Sequence, residues 1–286
     1  MTVYVVKACA KINIGLRILG KRPDGYHELE TIFQSVDLCD EIRVTPSVQG
    51  IRVSTTDPAV PEGPENICYR AAQLLLEASG AHKGCTIHIQ KKIPTGAGLG
   101  GGSSDAAATL RALNTLWKTQ LSDTQLLKLA LRLGADVPFF LHPGTAIAYG
   151  IGEKLDWFPT PWDFVGLVLY PKIPISTKWA YQNLKLDLTN AKKYIKLDRS
   201  KVKRLFLREW PLFFKNDFEP LLLGHYPALR DIQNRLFRAG ASFVSLSGSG
   251  SALFGLFEED EQVKKALPLF DSHPYKKFIV RPFHEV

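Results

Sequence analysis

The feature that most constrains this chain is a cluster of glycines at 96, 98, 100, 101 and 102, inside the string PTGAGLGGGSSDAA (94–107). Just before it, residues 86–93 alternate in character and are rich in β-branched side chains, which predicts a strand. Just after it, serines and an aspartate lead into an alanine- and leucine-rich stretch reaching about Trp117, which predicts a helix. Strand, glycine turn and helix in immediate succession make an anion-binding corner. Glycine has no Cβ to hold a ligand away, so several amide N–H groups can turn toward one anion. The helix N-terminus adds donors that have no partner within the helix, and the positive end of its dipole. Ser103 and Ser104 supply hydroxyls for phosphate oxygen or a metal-bound water. A flexible linker or a plain helix cap also uses glycine, but linkers are rarely enclosed so tightly by strand and helix.

Several phosphate loops are excluded by what the string lacks. The Walker pattern needs a lysine and a Ser or Thr directly after its glycines, and no lysine follows here. The protein-kinase set needs VAIK, HRD and DFG, and none is present. Gly96, Gly98 and Gly101 satisfy GxGxxG, and Asp123 lies at about the distance of a ribose-binding acid. Asp123, however, opens a second helix (122–133, with Ser122 before it and Gly134 behind) and does not end a strand.

The rest of the chain reads as mixed strands and helices with few βαβ alternations, which argues for α+β. Strands are expected at 3–10 and 11–19, with a turn at 21–27, then a helix at 66–79 stopped by Gly80. Prolines 159, 161, 171 and 174 mark a crossing between domains, expected at 1–152 and 153–286. Beyond it lie a strand at 164–169, a mainly helical region at 190–223 and a helix at 229–239 ended by Gly240. A strand–loop–strand unit at 242–257 follows, then a last strand at 278–283 that can return to the first domain.

The net charge of +8 admits nucleic acid, an anionic membrane or a phosphorylated ligand as partner. Most of the basic residues are scattered. The densest stretch, Lys192, Lys193, Lys196, Arg199, Lys201, Lys203 and Arg204, is interleaved with apolar residues, as on a solvated helix face, and no nucleic-acid module accompanies it. No apolar run approaches the roughly 20 residues a membrane helix needs. The N-terminal apolar run is short and broken by Lys7, so no signal peptide is expected. Cys9, Cys39, Cys68 and Cys85 show no zinc spacing and are expected to be reduced and buried, in a cytoplasmic protein.

The 94–107 string resembles the PxxxGLGSSAA-type loop of the GHMP kinase superfamily, which includes galactose, homoserine, mevalonate and phosphomevalonate kinases. The late string LSGSGSALFGLF (246–257), by itself readable as a plain hairpin, is similar to the second glycine motif of that superfamily. AKINIGL (10–16), GKRPDGYHEL (20–29), FQSVDLCD (33–40), GADVPF (134–139), GIGE (150–153) and NDFEP (216–220) resemble one branch of it, whose acceptor is a cytidyl-diphosphate sugar alcohol. The resemblance is least clear at 190–212, and Phe218 stands where a smaller aliphatic is expected. It implies the two-domain GHMP kinase fold with the active site in the interdomain cleft, ATP as phosphoryl donor and magnesium travelling with it.

The resemblance also implies roles. Pro94, Gly96, Ala97, Gly98, Leu99, Gly100, Gly101, Gly102, Ser103 and Ser104 would bind ATP, and Lys11 with Asp136 would be the catalytic pair. Asp136 also sits where an N-cap would, ahead of Pro138, and Lys11 on a strand could be an ordinary edge lysine. Asn13, two residues on, projects from the same strand face as Lys11 and could bind substrate. Gly248 and Gly250 would face the acceptor. Tyr26 and Tyr181 would stack on its base and His27 would bond the base's edge, although 24–27 also reads as a plain turn and Trp179 competes with Tyr181. Another kinase of the superfamily, for homoserine or mevalonate, is the nearest alternative; a non-catalytic nucleotide-binding or dinucleotide-dependent protein is the alternative of a different class.

Overall fold

A computed structural model of the chain describes residues 3–80, 82–159, 162–185 and 197–284. The chain forms two compact units that interleave along the sequence. One comprises Met1–Ala10, Leu38–Thr95 and Gly100–Pro143; the other comprises Lys11–Asp37, Gly96–Leu99 and Gly144–Val286. Two long paired strands, β1 (Tyr4–Lys21) and β2 (His27–Ser47), contribute residues to both units. Val3 and Val5 at the start of β1 are exposed, but residues 8–16 are buried without alternation, Lys11 and Asn13 among them. An interior strand with two buried polar groups needs a partner for each of them, and the elements around β1 supply those partners.

In the first unit β3 (Ile51–Thr55) and α1 (Ile67–Ser79) precede β4 (Gly84–Gln90), α2 (Gly101–Leu116) and α3 (Asp123–Leu133). β4 pairs antiparallel with β2 from Glu41↔Gln90 to Ser47↔Gly84, and parallel with β3 from Ile51↔Cys85 to Thr55↔Ile89. The helix starts follow from local chemistry. The Asn66 side chain accepts from the Cys68 amide at the head of α1, and Ser122 with Gln125 forms a capping box at the head of α3. α1 packs on α2 and α3 through Cys68, Ala71, Ala72 and Leu75, all buried. Cys68 and Cys85 are buried free thiols, as expected, and burial pushes both thiols up, Cys85 to about 12. Cys9 and Cys39 depart from the expectation: they form a disulfide, with Cα atoms 3.9 Å apart. Thirty positions separate them in sequence, and only the pairing of β1 with β2 brings them side by side.

The second unit holds β5 (Thr145–Gly150), β6 (Lys154–Phe158), β7 (Val165–Tyr170) and α4 (Thr177–Asn183), then α5 (Arg199–Val202), α6 (Trp210–Phe213), α7 (Glu219–His225) and α8 (Pro227–Arg238), and finally β8 (Phe243–Leu246), β9 (Leu253–Phe257), α9 (Asp260–Ala266) and β10 (Lys276–Val280). β5 pairs with β2 over Leu29–Gln34 and with β6. A separate antiparallel sheet runs β10-β7-β9-β8, covered by the apolar stripe Leu229, Ile232 and Leu236 of α8. The mainly helical reading of 190–223 is only partly met. Its described portion is broken into short helices around Trp210, which is fully buried and gripped edge-on by Trp162, Phe164, Phe214 and Phe243. Aromatic anchoring, with Pro211 and Pro220 at helix starts, replaces one continuous helix. Lys192, Lys193 and Lys196 lie outside the described residues. Among the described residues no helix is long and apolar enough to cross a membrane.

Candidate active site

The expected site residues fall into one group in each unit. Lys11, Asn13, Tyr26, His27, Gly96–Leu99, Tyr181, Gly248 and Gly250 belong to the second unit; Pro94, Gly100–Ser104 and Asp136 belong to the first.

In the second unit, Lys11 and Asn13 sit two apart on β1 and share a face. Lys11 is only 4% exposed, so it is no edge lysine. Its ammonium donates to Asn13 Oδ1 and lies 5.0 Å from the centre of the Phe33 ring. Asn13 Nδ2 donates to Thr31 Oγ1 at 3.1 Å, and that hydroxyl donates to the Gly15 carbonyl. The cation is thus oriented by an amide that is itself oriented. Thr31 belongs to no motif, and nothing in the sequence marks it for this role.

The Lys11 amide donates to the Leu99 carbonyl at 3.0 Å, which joins β1 to the first glycine loop. That loop packs backbone to backbone against the late one. Ser247 Oγ donates to Gly98 O at 2.9 Å and the Ala252 amide to Ala97 O at 3.1 Å. At Gly98, with φ +81°, a Cβ would stand 2.1 Å from Ser247 O and 2.9 Å from Gly250 O. The late motif is therefore more than a hairpin turn: its carbonyls occupy the space that the missing Gly98 side chain leaves. Gly248 lies beside the β1 pair, where a Cβ would be 3.5 Å from Asn13 Oδ1 and 3.7 Å from Lys11 Nζ.

In the first unit, Gly100 is the N-cap of α2 in a left-handed conformation and places no side chain over the helix end. The first turn of α2 carries no acid of its own. Beneath this end lies a buried charge cluster that no spacing in the sequence announces. Lys91 Nζ bridges Asp40 Oδ2 at 2.5 Å and Asp105 Oδ2 at 2.7 Å, while Asp40 Oδ1 accepts from the Lys92 and Ile93 amides. Burial, with Asp40 nearby, pushes Asp105 up to about 8 despite Lys91; the Lys91 ammonium is held above its ordinary value because the carboxylates outweigh its own burial. A Cβ on Gly101 would meet Ile93 at 3.0 Å and Lys91 Nζ at 3.3 Å, so the cluster props the helix start directly. Asp105, inside the glycine string, is the one signal of it that the sequence offers. Asp136 occupies the N-cap position of the 3-10 turn Val137–Leu141, with proline in the first turn, but its side chain makes no capping hydrogen bond there.

At the far end of β1, the turn before β2 places His27 against Tyr181 of α4, ring centres 4.9 Å apart and planes 23° from parallel. Phe218 meets Tyr181 edge-on at 4.9 Å, so the unexpected bulk at 218 buttresses this ring. Trp179 turns instead to His225 and Tyr226. Tyr26, beside His27, is 60% exposed. Burial and the Lys21 charge hold the His27 imidazole below its ordinary value, so it is neutral at pH 7 and can accept a hydrogen bond.

Two glycine loops seated on each other beside a buried lysine are the arrangement expected of a small-molecule kinase, and comparison with known proteins gives the class. The model for the GHMP kinases N terminal domain matches residues 66–144, and that for GHMP kinases C terminal matches 191–270. The chain belongs to the GHMP kinase family. Curated relatives include the 4-diphosphocytidyl-2-C-methyl-D-erythritol kinases of Prosthecochloris aestuarii, 46% identical over 91% of each chain, and of Geobacter sp. strain M21, 45% identical over the same shares. A crystal structure of 4-(cytidine 5'-diphospho)-2C-methyl-D-erythritol kinase superposes with a TM-score of 0.82 at 33% identity, covering 98% of this chain and all of that one. Homoserine kinase from Cytophaga hutchinsonii shares the fold, with a TM-score of 0.73 at 20% identity over 99% of this chain and 95% of that one.

Proposed function

We propose that this ATP-dependent kinase transfers the terminal phosphoryl group of ATP to the 2-hydroxyl of 4-diphosphocytidyl-2-C-methyl-D-erythritol, giving the 2-phosphate and ADP, in non-mevalonate isoprenoid precursor synthesis. The observation that carries the reading is the seating of the two glycine loops on each other beside the Lys11–Asn13 pair. The relatives' names supply the acceptor. A cytoplasmic setting, where ATP is held, goes with this reaction.

Each step falls to residues of this chain. The amides of Gly96–Ser104 and the open end of α2 hold the phosphates. Asp136 takes the proton of the attacking hydroxyl, and the Lys11 ammonium steadies the charge that develops on that oxygen. Asn13, engaged by Lys11 and Thr31, acts through Lys11 by fixing its direction. Tyr181 and Tyr26 hold the cytosine between their rings, and neutral His27 accepts from its amino group. Gly248 and Gly250 leave room for the acceptor beside the lysine. Among the described residues no three His, Cys, Asp or Glu side chains gather to cage a metal. A magnesium ion would enter on the phosphate oxygens of ATP, where its charge would offset that of the phosphates.

The test is ADP release under one set of conditions with the cytidyl-diphosphate acceptor, homoserine and mevalonate. Turnover with the cytidyl acceptor alone is expected. Faster turnover of either other alcohol would overturn the acceptor assignment and leave a different GHMP kinase.

A further inference from the structure

The string NDFEP (216–220) has no part in the chemistry above, yet its side chains converge on both halves of the second unit's site. On one side it lies along β1. The Leu16 amide donates to Lys215 O at 2.8 Å, the Asp217 amide to Leu16 O at 2.9 Å, and the Ile18 amide to Asp217 Oδ2 at 2.7 Å. β1 is the strand that carries Lys11 and Asn13. On the other side the string holds the late glycine loop. Asn216 Nδ2 donates to Leu246 O at 3.0 Å and to Gly248 O at 2.8 Å, while its Oδ1 accepts from the Phe218 amide at 3.0 Å. Glu219 Oε1 accepts from Ser245 Oγ at 2.7 Å and from the Leu246 amide at 3.0 Å.

We infer that Asn216 is a positioning residue for phosphoryl transfer: its buried amide sets Gly248 against the Lys11–Asn13 pair. Both amide hydrogens and the amide oxygen are engaged, and the side chain is 1% exposed. A peptide unit is planar, so fixing the Gly248 carbonyl also fixes the plane of the Gly248–Ser249 peptide and turns the Ser249 N–H to the opposite side. Leu246, held by Asn216 and Glu219 together, anchors the loop where it leaves β8. Ser247, between the two gripped carbonyls, is the residue whose carbonyl fills the space at Gly98. One amide therefore governs the approach of the late loop both to the lysine and to the first loop. An aspartate here would keep the bond to the Phe218 amide but turn an acceptor toward two carbonyls. The proposal rests on the reading of Lys11 and the glycine loops as the transfer site.

The experiment compares wild type, Asn216→Asp and Asp217→Ala in ADP-release kinetics with the cytidyl-diphosphate acceptor between pH 6 and 8, using thermal scans to establish the folded fraction. For Asn216→Asp, kcat per folded enzyme is expected to fall about 10²-fold, the scale of a misplacement of about 1 Å, with acceptor KM within about twofold of wild type. The deficit relative to wild type should shrink toward pH 6, because a protonated carboxyl restores one of the two donors. Asp217→Ala frees only the Ile18 amide at the other arm of the string, and is expected to lower kcat by roughly tenfold. It carries the test if Asn216→Asp does not fold. Unchanged kcat in the folded variants, or a loss confined to acceptor KM, would overturn the assignment. A wild-type protein that phosphorylates none of the alcohols would overturn the functional reading itself, and this proposal with it.

Discussion

The packing of the two glycine loops can be broken at one atom. Gly96 and Gly98 both have positive φ, +70° and +81°, so alanine at either is placed where an L-residue is disfavoured by about 1–2 kcal/mol. Alanine also stiffens the unfolded chain, which returns about 0.4–1 kcal/mol. At Gly96 that is the whole account, because nothing lies within 4 Å of the new methyl group. Gly96→Ala should therefore cost about 1 kcal/mol or less. At Gly98 the methyl would sit 2.1 Å from Ser247 O and 2.9 Å from Gly250 O. Carbon and oxygen in close contact stand about 3.3 Å apart, so the loops must separate by about 1 Å. Both obstructing atoms are backbone and cannot rotate aside. Separation breaks the bonds from Ser247 Oγ to Gly98 O and from the Ala252 amide to Ala97 O, each worth about 1 kcal/mol net and more if left unsatisfied. The total for Gly98→Ala is about 3–5 kcal/mol.

At about 2 °C of Tm per kcal/mol for a chain of this size, thermal scans should show a loss of roughly 6–10 °C for Gly98→Ala and about 2 °C or less for Gly96→Ala. In ADP-release assays kcat should fall up to about 10²-fold for Gly98→Ala, since a shift of about 1 Å at the phosphates is enough. Equal Tm and equal kcat in the two variants would refute the claim that the loops rest on each other at Gly98.

Asp136→Asn should lower kcat per folded enzyme by about 10²-fold or more, with thermal scans giving the folded fraction; near-normal turnover would remove it as the base. Lys11→Ala should cost a similar factor, and the proposed catalytic pair predicts that the double variant loses less than the product of the two; fully multiplicative losses would refute the pairing. Tyr181→Ala, and Tyr26→Ala beside it, should raise acceptor KM about tenfold and leave KM for ATP alone, while Trp179→Ala should change neither KM; the reverse pattern would give the stacking role to Trp179. Asp105 titrates at about 8 in the fold against about 3.9 in the unfolded chain, so the folded state holds its proton more tightly. The contribution of Asp105 to stability is then full below about pH 4 and is lost as pH rises through 8, and Asp105→Asn should flatten that part of the fall in Tm scans; an unchanged slope would remove Asp105 as its source.

What the sequence disclosed was local, and so were its errors. The glycine corner could be read because strand, left-handed turn and helix are adjacent in the chain, and the Ser122 cap because a cap and its amide lie within three residues. Lys11 could be placed on a strand, but its burial could not, since that depends on what covers β1 on both faces. The Cys9–Cys39 disulfide, the Lys91 bridge to Asp40 and Asp105, and the Asn216 grip on Gly248 all join residues that only strand register or loop packing brings together. Each of these residues was visible as a type; none carried a spacing that named its partner. Where a family resemblance was added, it pointed to Tyr181 and His27, and the register of the β1–β2 turn against α4 then joined them.

Under the proposed function the arrangement also offers a way to place a cation at the transfer site without a lysine inside the glycine loop. A lysine that follows the glycines reaches the phosphates on a flexible stem and loses rotamer freedom each time it is ordered, up to about 2 kcal/mol. Here the cation comes from the interior of a strand. Lys11 is buried, points at an amide held by a threonine, and shares its backbone N–H with the glycine loop through Leu99 O. Its side chain is ordered during folding and not at the moment of reaction, so charge and loop are set in one register before ATP arrives. That preorganisation requires the β1 face to stay dry and every polar neighbour to be paired. The string at 216–219 meets both demands: it lies along β1 beyond Gly15 and ties the late loop over the Lys11–Asn13 pair. Under the proposed mechanism the scaffold supplies the charge that the loop itself lacks, and the residues that hold the scaffold in place should matter to turnover as much as those that touch substrate.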